Sequence, residues 1–267
     1  VSTGFAATTG RRELASHRLA PIVLGLLGAA TVVAAWGLIV AAGWVSERSL
    51  PSPLAVAASL PRVLADPAFY AGMGDTLGSW LSALVISTAA AVVLGLVLGT
   101  VPVLARPAMV AVNALRSIPS TALIPVAILL FGLGTSMKIA VSIYAVFPVI
   151  LINTIYGVAS TEPMRTDAAR AMHWSWWRRY ALLVLPSATP SIVTGIRVAS
   201  GISLVVIISA ELLGAKSGVG LVLVRYQQAL QIDMAYACIT LIGLVGMVVY
   251  AGISILERAT IDRIHLV

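Results

Sequence analysis

The sequence predicts an all-α, polytopic membrane protein with about six transmembrane helices, on three observations. Of 267 residues, 60% are hydrophobic and only 10% are charged. Soluble domains carry about 25% charged residues, so most of this surface must meet lipid. Mean hydropathy is +1.02, and charge-free runs reach the ~20 residues that cover a hydrocarbon core. The ~10-residue alternation of a membrane barrel is absent. The formal net charge of +7 does not point to nucleic acid, because the basic residues fall between apolar runs and at the chain ends, where topology-setting charges lie.

Residues 1–18 form a polar, basic N-terminal tail, with Arg11, Arg12 and Arg18. The first span, within 19–45, has no internal charge until its end and exceeds a signal-peptide core, which predicts an uncleaved span. Residues 46–75 carry Pro51, Pro53, Pro61 and Pro67 and read as an external loop with short helical pieces. The second span, 76–105, holds Gly95 and Gly99 at a spacing that lets helix backbones approach closely. A third span, 108–134, is interrupted by Pro119 and Pro125, which predict a kink or break. A fourth covers 138–160, a fifth 187–213 and a sixth 234–256, so the transmembrane domain runs 19–256 and a cytoplasmic tail 257–267 follows. The single cysteine, Cys238, lies in an apolar run as a packing residue; one thiol provides no metal-ligand set.

Six spans put both termini on one side. The terminal tails, the 106–116 connection and the 161–180 segment hold Arg11, Arg12, Arg18, Arg106, Arg116, Arg165, Arg170, Arg178, Arg179, Arg258 and Arg263. The other side holds only Arg48, Arg62, Lys138, Lys216 and Arg225. By the positive-inside rule the termini and the 161–180 segment are cytoplasmic.

That segment, TEPMRTDAARAMHWSWWRRY, is too charged to cross a membrane. Thr166 suits the cap of a helix beginning at Asp167, whose carboxylate favours a helix N-terminus, and Arg178 and Arg179 suit its far end. Trp174, Trp176 and Trp177 supply amphipathic surface for a protein interface or the headgroup belt.

The stretch DAARAMHWSWWRRYALLVLP resembles the EAA motif of binding-protein-dependent ABC importer permeases. Asp167-Ala168-Ala169 stands for EAA, His173 for the glycine, Leu183 for the isoleucine, and Leu185-Pro186 closes the motif in register. Leu50-Pro51-Ser52-Pro53, LRSIPSTALIPVAILLFGLG at 115–134 and AELLGAKSGVGLVL at 210–223 are similar to the nitrate, taurine and aliphatic-sulfonate branch. The resemblance covers about residue 50 to the C-terminus. It implies a type I importer permease in the bacterial inner membrane whose cytoplasmic coupling helix fits a groove on an ABC ATPase dimer. Asp167, Ala168, Ala169, Arg170, His173, Trp174 and Arg178 are the coupling residues it implies. It also implies an extracytoplasmic solute-binding protein and a second permease copy. A homodimer is favoured; a heterodimer stays open, since paired nonidentical permeases often carry one degenerate motif. Two departures stand out: Asp167 is one methylene shorter than Glu, and His173 replaces a glycine. With His there, the bend avoids positive φ or the docking geometry differs.

No catalytic constellation is expected. Gly214-Ala215-Lys216-Ser217 lacks the spacing of a phosphate loop, so ATP and Mg belong to the partner ATPase and this chain carries no cofactor. Charges within spans are costly and invite function. Glu211 lines an external gate or meets the binding protein, or else bonds a neighbouring helix. Arg197 braces the coupling helix or offers a cation to an anionic solute. Asn153 and Ser203 turn toward a pathway or fill the bundle. Lys138 and Arg116 read as anchors. A competing function is an ion-coupled secondary transporter, which expects several embedded acids; only Glu211 qualifies.

Overall fold

Proline and its preceding residue set where the helices begin. The structure, a computed structural model, describes the backbone of residues 9–265 and the side chains of 23–260 except Leu26, Pro102 and Pro163. Arg11, Arg12, Arg18, Asp262, Arg263 and His265 therefore lie outside the described side chains. Helices α2 (Pro53–Leu64), α3 (Pro67–Thr100), α4 (Pro102–Arg116) and α7 (Pro163–Ala171) each start on proline, where the missing N–H costs nothing because first-turn donors have no intrahelical partner. Ser52 Oγ accepts from the Ala55 N–H at 3.2 Å, and Asp66 Oδ1 accepts from the Ala68 N–H at 2.8 Å. The second span thus opens at Pro67, well before the expected 76, because Asp66-Pro67 is a start signal and not loop punctuation.

The remaining helices are α1 (Thr9–Ala41), α5 (Ile124–Phe131), α6 (Thr135–Ala159), α8 (Trp176–Arg179), α9 (Leu185–Gly214), α10 (Val219–Gln228) and α11 (Ile232–His265). Among the described residues no strand occurs. Five stretches are long and apolar enough to cross a membrane: Val23–Ala41, Pro67–Thr100, Thr135–Ala159, Trp176–Gly214 and Ile232–Thr260. The pair α4 and α5, joined by a 3-10 turn at Ser120–Leu123, makes a sixth if it crosses as one broken span; it is bent by 73° where Pro119 is extended. The expected break in the third span is there. Both tails are helical where the structure describes them: α1 already includes Thr9, and α11 continues to His265.

Helices α3, α6 and α9 make the centre. Leu84, Ala91 and Leu98 of α3 meet Ile150, Leu151 and Ile155 of α6 and Ala199 of α9. Their closeness rests on Gly95 and Gly99, where an added Cβ lies 2.6 Å from Thr154 and from Val158. The expected close approach of that glycine pair is present. A second cluster joins Val63, Phe69, Val222, Tyr226 and Cys238, packing α2 and α10 over the starts of α3 and α11. Cys238 is fully buried there, as a packing residue.

The periphery is apolar. Between Ile239 and Leu256 α11 buries no residue, and the first span buries only 6% of its residues. Such surface on a soluble monomer marks an interface or an aggregation hazard; on spans of this length it meets lipid or another chain.

Candidate functional site

Two polar regions interrupt the apolar rods, one at each end of the bundle. The first links α6 to α9. Helix α7 starts at Pro163 and runs nine residues, so Thr166 lies within it and does not cap it. The interior proline-led start wins because Pro163 needs no donor, whereas Thr166 Oγ1 only reaches back to Glu162 O at 3.5 Å. Ala169 is buried while Asp167 and Arg170 are exposed and pair at 3.2 Å. Ala168 is exposed as well. The DAA run therefore offers an acidic, small-residue outer face held by one inward alanine.

The helix ends at His173, whose φ is +54°. Trp174 N–H donates to Ala169 O at 3.0 Å and His173 N–H to Arg170 O at 2.9 Å, the paired bonds of a Schellman turn. The position that the motif gives to glycine is thus the left-handed residue that closes the helix. His173 does not avoid positive φ; it adopts it, at a steric cost that glycine lacks.

Beyond the turn, Ser175 Oγ accepts from the Arg178 N–H at 3.4 Å and starts α8. No gap separates α8 from the span. A π-helical turn at Tyr180–Val184, in which the Leu185 N–H donates to Tyr180 O, leads straight into α9. The result is one rod from Trp176 to Gly214. Helix α8 alone does not reach α7, so the expected single helix from Asp167 to Arg179 is two helices at a bend. Arg178 lies 4.7 Å over the Trp174 ring, a cation–π contact, and Trp176 packs 4.5 Å from both Trp177 and Tyr180. Trp177 is three-quarters exposed.

The second region lies at the other end of α3, α6 and α9. Lys138, expected as a surface anchor, is fully buried. Its Nζ donates to Asp75 Oδ2 at 2.6 Å, Glu211 Oε1 at 2.9 Å and Ser217 O at 3.2 Å. The Glu211 carboxylate also accepts from Thr76 Oγ1 at 2.8 Å and the Gly220 N–H at 3.0 Å, and the Val219 N–H donates to Thr76 Oγ1 at 2.9 Å. The apolar span forbids a lone ammonium, so the lysine turns inward to two carboxylates. Gly218 and Gly220 admit the glutamate, because a Cβ at either would strike it. Glu211 thus bonds to Lys138 of α6, Thr76 of α3 and the start of α10.

The other expected pathway residues have separate partners. Ser203 Oγ lies 2.7 Å from Ser142 Oγ, buried. Asn153 Nδ2 donates to Val149 O at 2.8 Å. Arg197 Nη1 donates to Glu257 Oε2 of α11 at 2.7 Å, and Thr194 Oγ1 to Glu257 Oε1 at 2.9 Å, so its partner is α11 rather than the coupling segment. Asp75, Thr76 and Glu257 escape a sequence reading. The signal present was Lys138 itself, since a lysine in an apolar run requires an acid nearby.

Residues 91–262 match the family described as binding-protein-dependent transport system inner membrane component. The chain is 33% identical to the aliphatic sulfonates transport permease protein SsuC of Escherichia coli, over 85% of this chain and 86% of the relative. It is 25% identical to the taurine transport system permease protein TauC of Escherichia coli, over 89% and 88% of the two chains. An inward-facing structure of the MetNI methionine ABC transporter superposes with a TM-score of 0.63 at 18% identity, covering 72% of this chain and 96% of that one; it is a likeness of fold. The chain belongs to the binding-protein-dependent transport system inner membrane components, as an ABC importer permease of the branch that includes SsuC and TauC.

Proposed function

We propose that the chain forms, with a second identical copy, the translocation pathway for a small anionic solute of the sulfonate, taurine or nitrate type. An extracytoplasmic binding protein delivers the solute, and a separate pair of ATPase subunits hydrolyses ATP. Both termini and the α6–α9 connection face the cytoplasm, as the distribution of arginine argues. The observation that carries this reading is mechanical: exposed α7 ends in a fixed Schellman turn, and the rod after it is unbroken to Gly214. A push on Asp167 and Ala168 is then delivered to a span instead of being lost in a slack loop. Rocking of such rigid bodies about a central site is one route to alternating access. The names of SsuC and TauC support the solute class. Family membership argues against an ion-coupled secondary transporter.

The test is uptake by the complex of this chain with its ATPase and binding protein, reconstituted in liposomes. Ala168→Trp, at an exposed position, should cut ATP-dependent taurine or alkanesulfonate uptake at least tenfold while the chain still folds. Full uptake and full solute-stimulated ATPase activity in that variant rule out the coupling role of α7.

A further inference from the structure

At the root of the coupling segment lies a cleft of 280 Å³, between the last residues of α3 and α6, the outer turns of α7, and α8 with the π turn. Its lining includes Arg170 and Arg179, together with Thr100, Thr161, Thr166 and Tyr180, and no carboxylate. Two of these side chains, each half-buried, hold one inaccessible polar atom without a partner among the described residues: the Thr161 hydroxyl and the Arg179 Nε–H. Among the described residues Arg179 makes no ion pair, and Arg170 has only its exposed contact with Asp167. Exposed pairs of that kind bind weakly and yield to a better partner.

A buried guanidinium N–H and a buried hydroxyl left unsatisfied in one cleft are expensive unless something accepts from them. Water or a neutral acceptor would satisfy the bonds and leave the charge. An oxyanion does both, because the planar guanidinium fork matches its paired oxygens and the threonine hydroxyl supplies a further donor. The other threonines and Tyr180 are committed to backbone carbonyls, as in Thr100 Oγ1 to Leu96 O at 3.0 Å, so they shape the cleft while Arg179 and Thr161 hold the ligand. Exposed Trp176 and partly exposed Leu183, at its edge, leave room for an apolar tail to lie alongside.

We propose that this cleft binds a phosphate-type oxyanion, free in solution or as the headgroup of an anionic lipid. A bound anion there bridges α7 and the α8 turn to the ends of two spans, and so stiffens the joint between them. The inference does not depend on which solute is carried.

The purified full chain, in nanodiscs of phosphatidylcholine alone or with phosphatidylglycerol, is melted with and without inorganic phosphate at constant ionic strength. Native mass spectrometry reads retained phosphatidylglycerol. Wild type should gain melting temperature saturably with phosphate, with phosphatidylglycerol, or with both. Arg179→Gln and Thr161→Val should each weaken the apparent affinity about tenfold, the loss of one charge-assisted bond. Arg48→Gln, which removes an equal charge outside the cleft, should respond as wild type. A gain with phosphate in phosphatidylcholine identifies the free anion; a gain only with phosphatidylglycerol identifies the headgroup. No gain from either ligand overturns the site, as does an equal loss in Arg48→Gln or wild-type affinity in Thr161→Val. Thr161→Val decides the matter if Arg179→Gln does not fold, since it removes a hydroxyl that bonds nothing among the described residues.

Discussion

Lys138 and Glu211 are both fully buried and 2.9 Å apart, with Asp75 on the other side of the ammonium at 2.6 Å. Replacing only the lysine leaves a carboxylate in an apolar interior. Lys138→Met should therefore destabilise the chain by about 3–5 kcal/mol, whereas Lys138→Met with Glu211→Met should cost clearly less than the sum of the single changes. Melting of the purified variants measures both; additive losses count against a coupled pair. His173 makes the opposite case. Its φ of +54° suits glycine, so His173→Gly should stabilise the α7 terminus by about 1–2 kcal/mol, read as a raised melting temperature. A lowered one means that the imidazole makes a contact worth more than the strain. The glycine spacing of the motif was legible in the sequence, and so was the need for a bend. That a histidine would accept the glycine's backbone angle was not, because propensity is a preference that surrounding bonds can override.

Helix α3 shows how one element is fastened outside the membrane. Asp66 caps it and also accepts from the Tyr226 hydroxyl of α10 at 2.6 Å. Those two bonds, the tyrosine's first, hold the Asp66 carboxyl below its ordinary value, and burial, then the nearby carboxylate, pushes the Tyr226 hydroxyl up. A lowered carboxyl favours the fold in full above the unfolded value of about 4, and that contribution is lost as pH falls through the folded value. Asp66→Asn should thus lower the melting temperature at pH 7, by a margin that shrinks as pH falls below about 4. A margin that stays constant with falling pH would mean that the charge is irrelevant and only the cap matters. The break at Pro119 was legible in the sequence, whereas the start signal at Asp66-Pro67 is missed by the loop reading of 46–75. The tie to Tyr226 was not legible, since 160 positions separate the partners. The π turn before Pro186 likewise needs the helix to be built before its cost is visible.

For the whole molecule, orientation is open to direct measurement, because the only cysteine is buried and removable. In a Cys238→Ala background, Trp177→Cys should react with an impermeant maleimide only after the cells are opened. Leu230→Cys, at a residue 83% exposed, should react in intact cells. The reverse pattern would invert the topology and put the coupling segment outside. Composition and charge placement alone determined that the chain is a helical membrane protein with about six crossings, a broken third span and a patterned segment between the fourth and fifth. These are properties of local sequence: apolar length, proline, and basic residues between runs. The tertiary structure decided which polar groups face one another. Lys138 looks like an anchor until α3 and α9 bring carboxylates to it, and Arg197 looks available until α11 brings Glu257. Burial of charge is a property of neighbours, and neighbours in a bundle of long helices come from distant parts of the chain.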